Sequence, residues 1–257
     1  MARCRHRPTT AGPTRRTHAL AARRRRWVVP AAIGGTAAVV AGVVAFGLAN
    51  NDDDEATRAP AGLSLDDVEP ALLTEDDVGA GFAESTPGGD GELRTDDMDT
   101  SPECRQVLRS FEQSDDEGED LEVDFEDTDG ATLSHTLALI DEDEPTMDEA
   151  LDALGECRTI GWDDGVTQGE IRLSADDIDG RGDQAFEMEM EIEGSSQGVT
   201  VVLDGYVVYS MREGVVSTVG GFGAIDPDTL GGEPVDRDLV RSLAERADEK
   251  VHEALEG

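Results

Sequence analysis

Apolar and acidic residues alternate along much of the carboxyl-terminal part of the chain. The most regular stretch runs from Phe186 to Glu193, where every second residue is apolar and each residue between is Glu. Such alternation is typical of a strand with one face in the core and the other in water. Further strands are predicted over 121–125, 131–140, 171–173, 199–203, 206–211 and 215–219. Tight turns are expected at Gly205 and Gly214.

Other stretches repeat their apolar residues at helical spacing. Leu65 to Val78 predicts one helix, or two short helices separated at Pro70, and Ser101-Pro102 is a typical helix start. Longer amphipathic helices are predicted near 147–157 and 240–251. Short turns between neighbouring strands imply antiparallel pairing. Residues 64–257 therefore predict an α+β domain, an antiparallel meander-like sheet with helices mainly on one face and the last helix packed across it.

The amino-terminal part has a different pattern. Residues 27–49 carry no charge and consist mainly of Ala, Val and Gly, long enough as a helix to cross a hydrocarbon core of about 30 Å. Cations before this stretch and acids after it predict that residues 1–26 lie in the cytoplasm and that the rest lies outside. The predicted membrane anchor residues are Arg23, Arg24, Arg25, Arg26 and Trp27.

A cleaved secretory signal is the alternative to this single transmembrane helix. Gly47-Leu48-Ala49 resembles a small-x-small cleavage site, which would release a secreted protein. The apolar stretch is longer than the usual 7–15-residue core of a signal peptide, and this favours an uncleaved signal anchor. Either way, the acidic linker at 50–63 and the domain at 64–257 lie outside the cytoplasm.

The charge distribution excludes one class of partner. The formal charge of −38 includes +9 from residues 1–26, which leaves −47 for the rest of the chain. Such a surface repels phosphates, so no nucleic acid is expected to bind. The density of unpaired acids also predicts that salt stabilises the domain by screening repulsion, as in proteins from high-salt hosts.

The cysteines fit an exported domain. Cys104 and Cys157 both follow the predicted membrane segment, and each falls on the apolar side of a predicted helix. Disulfides persist outside the cytoplasm, so a Cys104–Cys157 disulfide is predicted, with two separate buried thiols as the alternative. Cys4 precedes the span and is expected to be a cytoplasmic thiol.

The order of motifs resembles a known group of domains. "ALLTEDDVGAGF", "SPECRQVL", "ALGECRTI", "VVLDGYVVYSMREGVVSTVG" and "LVRSLAERADEKVHEAL" together resemble the actinobacterial extracytoplasmic sensor-like domain family, which includes the carboxyl-terminal domain of a mycobacterial serine/threonine kinase. The resemblance covers roughly residues 64–256 and implies a sandwich-like α+β domain with a cleft for an extracellular ligand. The sensor-like domain of that kinase has two cysteine pairs, whereas the extracytoplasmic part of this chain has one plausible pair. A basic tail of only 26 residues precedes the predicted span, so signalling by phosphorylation does not carry over.

The sequence motifs that suggest catalysis or metal binding lack the surrounding structure or spacing that these functions need. Gly194 to Gly198 matches G-x-S-x-G, but it lies between two predicted strands, where a nucleophile elbow needs a strand followed by a helix. The acidic loops at 127–130 and 176–180 lack the first and twelfth ligands of an EF-hand. His135 and His252 are too far apart in sequence for zinc spacing. We therefore predict no catalytic, metal or cofactor site.

Three functional hypotheses follow. The first is a single-pass, membrane-anchored extracytoplasmic binding or sensor-like protein without catalytic activity, whose partners are the membrane and a small-molecule or envelope ligand. The second is a cell-envelope structural or interaction protein that partners another membrane protein. The third is an unrecognised hydrolase. A ligand pocket would favour the first, a flat apolar patch the second, and converging titratable groups in a cleft the third.

Overall fold

The computed structural model describes residues 59–60, 62–85, 98–102, 104–105, 120–140, 147–163, 165, 167–178, 180–196, 198–226 and 231–257. Within them, nine strands form one antiparallel sheet in the order β1-β3-β4-β9-β8-β7-β6-β5-β2. The strands are β1 (Phe82–Ser85), β2 (Met98–Asp99), β3 (Asp120–Asp127), β4 (Thr132–Leu139), β5 (Thr159–Asp163), β6 (Thr167–Asp177), β7 (Gln184–Ser196), β8 (Val199–Arg212) and β9 (Val215–Phe222).

Few helices accompany this sheet in the described part of the chain. They are α1 (Leu65–Val68), a 3-10 turn (Glu69–Ala71), α2 (Glu75–Val78), α3 (Met147–Glu156) and α4 (Arg237–Glu256). The antiparallel sheet predicted from sequence is confirmed. The predicted tail at 1–26, the span at 27–49 and the anchor residues Arg23, Arg24, Arg25, Arg26 and Trp27 lie outside the described residues. Among the helices that are described, none combines the length and apolar character needed to cross a bilayer.

One face of the sheet, which we call the disulfide face, is packed with apolar side chains. The even-numbered residues of β7 from Phe186 to Ile192 point to it and are at most 2% exposed. Ile171 on β6 and Leu154 on α3 join the same cluster. Cys104 and Cys157 lie in it as a disulfide with a Cα–Cα distance of 4.9 Å, so the predicted pairing is present.

The opposite face, which we call the helix face, is covered by α4. An apolar stripe on α4 packs on β8 and β9 and contains Val240, Leu243, Ala244, Ala247 and Val251. Asp236 caps the helix by accepting a hydrogen bond from the Leu239 backbone N–H at 3.0 Å. The segment at 63–78, with α1 and α2, lies on the same face and contacts α4.

Most of the described helices lie on the helix face, as expected, and α3 is the exception because it lies on the disulfide face. Every residue of β8 from Gly205 to Met211 is buried, so both faces of this strand need a cover. Sequence reasoning treated the residues before and after Gly205 as two strands with a turn between them. They form one strand instead, and a Cβ at Gly205 would come within 2.3 Å of the Phe222 ring. Gly205 thus allows close packing rather than a turn.

Candidate ligand-binding cleft

A seam of ion pairs joins α4 to the sheet along the helix face. From the amino end, α4 presents two arginines and then two acids. Opposite them, β7 presents two acids, and the β6–β7 loop and the end of β8 each present an arginine. The pairs are Arg237 with Glu189, Arg241 with Glu187, Glu245 with Arg181 and Asp248 with Arg212. Arg212 holds Asp248 through two bonds, Nε–Oδ1 at 2.9 Å and Nη2–Oδ2 at 2.7 Å. The complementary order fixes the position of α4 along β7 and β8.

Tyr206 lies at the centre of this seam. Its buried ring has the guanidinium carbons of Arg237 and Arg241 at 5.6 Å and 5.3 Å from its centroid, within cation–π range. Its hydroxyl donates to Glu187 Oε2. The bond from Arg241 is the largest cause that lowers the pKa of Glu187, and burial together with Glu187 raises the pKa of Tyr206 to about 12. Glu187 is therefore ionised and Tyr206 neutral at ordinary pH.

A cleft of about 320 Å³ opens beside the amino end of α4. Its floor is the helix face of β6, β7 and β8, and its wall is the segment at 234–237. This wall lies close to the sheet because residue 223 is Gly; a Cβ there would come within 1.6 Å of the Glu233 carbonyl oxygen. The Glu233 N–H donates to the Ala224 carbonyl at 2.7 Å and holds the wall in place.

In one row across the cleft floor, one cation lies beside two acids, so the charges of that row are not fully paired. The strand register places Arg172, Glu191 and Asp204 side by side on three adjacent strands. Arg172 pairs with Glu191 and, at 2.7 Å, with Glu170. Among the described residues, Asp204 has no ion-pair or hydrogen-bond partner for its carboxylate, although it lies directly opposite Glu191. Like charges in that position repel, so a cation between them would be stabilised.

The cleft lining also contains Arg237, Glu189 and Ser174, with Pro234 and Val235 as apolar neighbours. The two arginines of the lining are both already paired with glutamates. The carboxylate left to meet a ligand is Asp204, so the chemistry open to a ligand is that of an anionic acceptor beside a small apolar wall.

A second cavity of about 470 Å³ lies farther along α4, around Arg181, Arg241 and Glu245. Arg181 donates to Glu245 at 3.0 Å, but its Nη1 is buried without a partner among the described residues. The charged residues that line this cavity are mainly those of the seam, so the cavity belongs to the packing of α4 on the sheet.

The residues of the sequence motifs considered for catalysis or metal binding lie in ordinary turns, strands and helices. Gly194 to Ser196 end β7, and Ser196 pairs with Val199 at the start of β8, which is the hairpin expected from the sequence. His252 lies on α4 beside Glu256. Asp127 accepts three backbone N–H bonds within the β3–β4 turn. His135 is fully buried on β4. In the described part of the chain, no three His, Cys, Asp or Glu residues are grouped to hold a metal.

Sequence reasoning missed the seam and the cleft. The alternation in β7 predicts that its glutamates face water, yet Glu187 and Glu189 bind arginines of α4. The spacing of Arg237, Arg241 and Glu245 at intervals of four on the last helix was the available signal, because such residues share one side of a helix.

Comparisons with known proteins give little further information. No family model and no curated protein matches the sequence. A solved structure of an uncharacterised Mycobacterium smegmatis protein, the ortholog of Rv0999, is similar with a TM-score of 0.34 and 16% identity. The match covers 52% of this chain and 64% of that chain, so it spans less than two thirds of the neighbour.

Proposed function

We propose that this protein is a membrane-anchored, extracytoplasmic binding or sensor-like protein without catalytic activity, and that the cleft beside α4 is its ligand site. The ligand is a small molecule with a cationic amine or guanidinium group, which Asp204 and Glu191 accept. The unpartnered carboxylate of Asp204 in the cleft is the observation that carries this proposal.

Three features support it. The cleft volume falls within the range of small-molecule sites, which begins at about 300 Å³. The charge of the chain beyond residue 26 attracts cations and speeds their encounter. The Cys104–Cys157 disulfide suits a non-reducing compartment, in line with the export signal predicted from the sequence.

Calorimetric titration tests the ligand class. We expect putrescine, agmatine or choline to bind the purified full chain, and succinate of similar size to give no heat. Asp204→Asn should weaken amine binding at least 10-fold, because it removes the negative charge from the site. Asp129→Asn, on the exposed β3–β4 turn, removes the same charge elsewhere and should leave affinity unchanged. Equal affinities in both variants, or absence of amine binding, would refute the proposal.

A further inference from the structure

Residues 63–78, which we call the strap, are docked on the end of the helix face far along α4 from the cleft. Val68 and Ala71 of the strap are fully buried against Leu137, Val215 and Val251. Leu73 and Val78 pack into the neighbouring cluster under α4. In sequence the strap directly follows the acidic linker that leads from the predicted membrane anchor. It is therefore the part of the folded domain nearest the membrane along the chain.

A charged clamp holds the strap to α4. Lys250 is the only lysine in the sequence, and its side chain is 11% exposed. It donates to the Leu72 carbonyl and, at 3.0 Å, to Asp77 Oδ2. Arg246 donates to the other oxygen of Asp77 at 3.2 Å. Asp77 also accepts hydrogen bonds from the backbone N–H and the hydroxyl of Thr74, which cap α2 within the strap.

His135 forms the second polar contact under the strap. Its ring is fully buried, and Nδ1 accepts a hydrogen bond from the Leu73 backbone N–H at 3.0 Å. Because Nδ1 accepts, the ring proton of neutral His135 is on Nε2, which lies 3.0 Å from Ser217 Oγ. A second proton on Nδ1 would face the Leu73 N–H and abolish that bond. The docked strap thus requires the neutral ring.

We propose that the strap is an acid-sensitive latch: protonation of His135 detaches residues 63–78 while the nine-stranded sheet stays folded. The charged groups that act on His135 are Lys250 on α4, which opposes its protonation, and Asp77 on α2, which favours it. Arg246 pairs with the same Asp77 carboxylate. The proposal does not depend on the ligand cleft, which lies at the other end of α4.

The direction of the pH effect follows from linkage. Burial, with a smaller effect of Lys250, lowers the pKa of His135 from its ordinary 6.5 to about 3 while the strap is docked. When the strap leaves, water reaches the ring and its pKa returns toward the ordinary value. The open form then binds a proton that the docked form does not, so the opening equilibrium rises as the pH falls below 6.5. It stops rising near pH 3, where the docked form also binds the proton. Linkage gives about a 30-fold rise in the opening equilibrium between pH 7.5 and pH 5.

Amide hydrogen exchange of the full chain tests the latch. After correction for intrinsic exchange, protection of the Leu73 amide should fall about 30-fold from pH 7.5 to pH 5. Protection of the Val207 amide, at the centre of β8, should change much less. His135→Gln keeps an acceptor that does not titrate, and its Leu73 protection should be nearly independent of pH over this range. Asp77→Asn weakens the clamp but keeps His135, so opening should increase at both pH values with the same pH ratio.

Each opposite result overturns the proposal. A parallel loss of protection at Leu73 and Val207 would mean that acid unfolds the whole domain. An unchanged pH ratio in His135→Gln would mean that another group governs opening. If His135→Gln does not fold, the wild-type comparison of Leu73 with Val207 and the Asp77→Asn ratio still decide, since a pH-independent Leu73 amide in either protein contradicts the latch.

Discussion

The two faces of the sheet are held to their helices by different interactions, although they share the same strands. On the disulfide face, β7 presents Phe186 and Met188 to an apolar cluster that also contains the Cys104–Cys157 disulfide. On the helix face, the same strand presents Glu187 and Glu189 to arginines of α4. One face is thus fixed by apolar packing and a covalent bond. The other combines an apolar stripe with charge pairs whose strength depends on pH and salt.

The four seam charges of α4 follow the order of the charges on the sheet rather than the order that the helix dipole favours. A helix macrodipole favours acids at the amino end and bases at the carboxyl end. In α4, Arg237 and Arg241 stand near the amino end, and the last turn has no base. This order opposes the dipole and matches the sheet. The helix face therefore places arginines where they can line a cleft, in a domain that has few of them.

Removing the disulfide should give the largest effect and would sharpen the contrast between the faces. The two cysteines are 53 residues apart, and closing a loop of that size contributes about 4 kcal/mol in the chain-entropy model. We expect Cys157→Ser to lower the free energy of unfolding by about 3 kcal/mol in urea denaturation. Cys4→Ser removes a thiol that precedes the predicted membrane span and should change nothing. Equal stability of the two variants would show that the disulfide does not stabilise its face.

Breaking the seam should give an intermediate effect. Asp248→Asn removes one charge of the two-bond pair with Arg212, whose side chains are 13% and 25% exposed. We expect a loss of about 2 kcal/mol, because the remaining partly buried guanidinium loses its counterion. Glu249→Gln is the matched control, since that side chain is 68% exposed and its pair with Arg246 contributes little. If both substitutions have the same effect in thermal unfolding, the seam does not hold α4.

Removing a carboxylate on β3 should have the smallest effect, and it should raise rather than lower the stability of the domain. Glu122 lies on the disulfide face in register with Thr136. Glu122 is exposed as a residue, but partial desolvation of its carboxylate against the sheet raises its pKa, and repulsion from Asp124 and Asp120 raises it further. The folded state therefore disfavours the ionised form, and Glu122→Gln should slightly stabilise the domain at pH 7. Because Glu122 is solvent-exposed and water screens the repulsion, we expect a gain of less than about 0.5 kcal/mol. The gain should shrink as the pH falls and wild-type Glu122 takes up a proton. A loss of stability at pH 7 would contradict this account of the strand.

Much of the sheet was predictable from the sequence, for physical reasons. Strict alternation, as between Phe186 and Glu193, identifies a half-buried strand, and the helical stripe from Val240 to Val251 identifies α4. The short strand β5 was missed because its apolar residues, Ile160 and Trp162, are too few to show a period. The cleft could not be predicted, because Arg172, Asp204 and Arg237 meet only through strand register and the close approach at Gly223.

The central claim is that the cleft beside α4 holds a small cationic molecule through Asp204. Native mass spectrometry of the full chain, purified from its own host in mild detergent, tests it most directly. The account predicts a bound amine or guanidine compound in the wild-type protein and in Asp129→Asn, and its loss in Asp204→Asn. An anionic or neutral molecule bound equally in all three proteins, or no bound molecule in any of them after addition of amines, would contradict it.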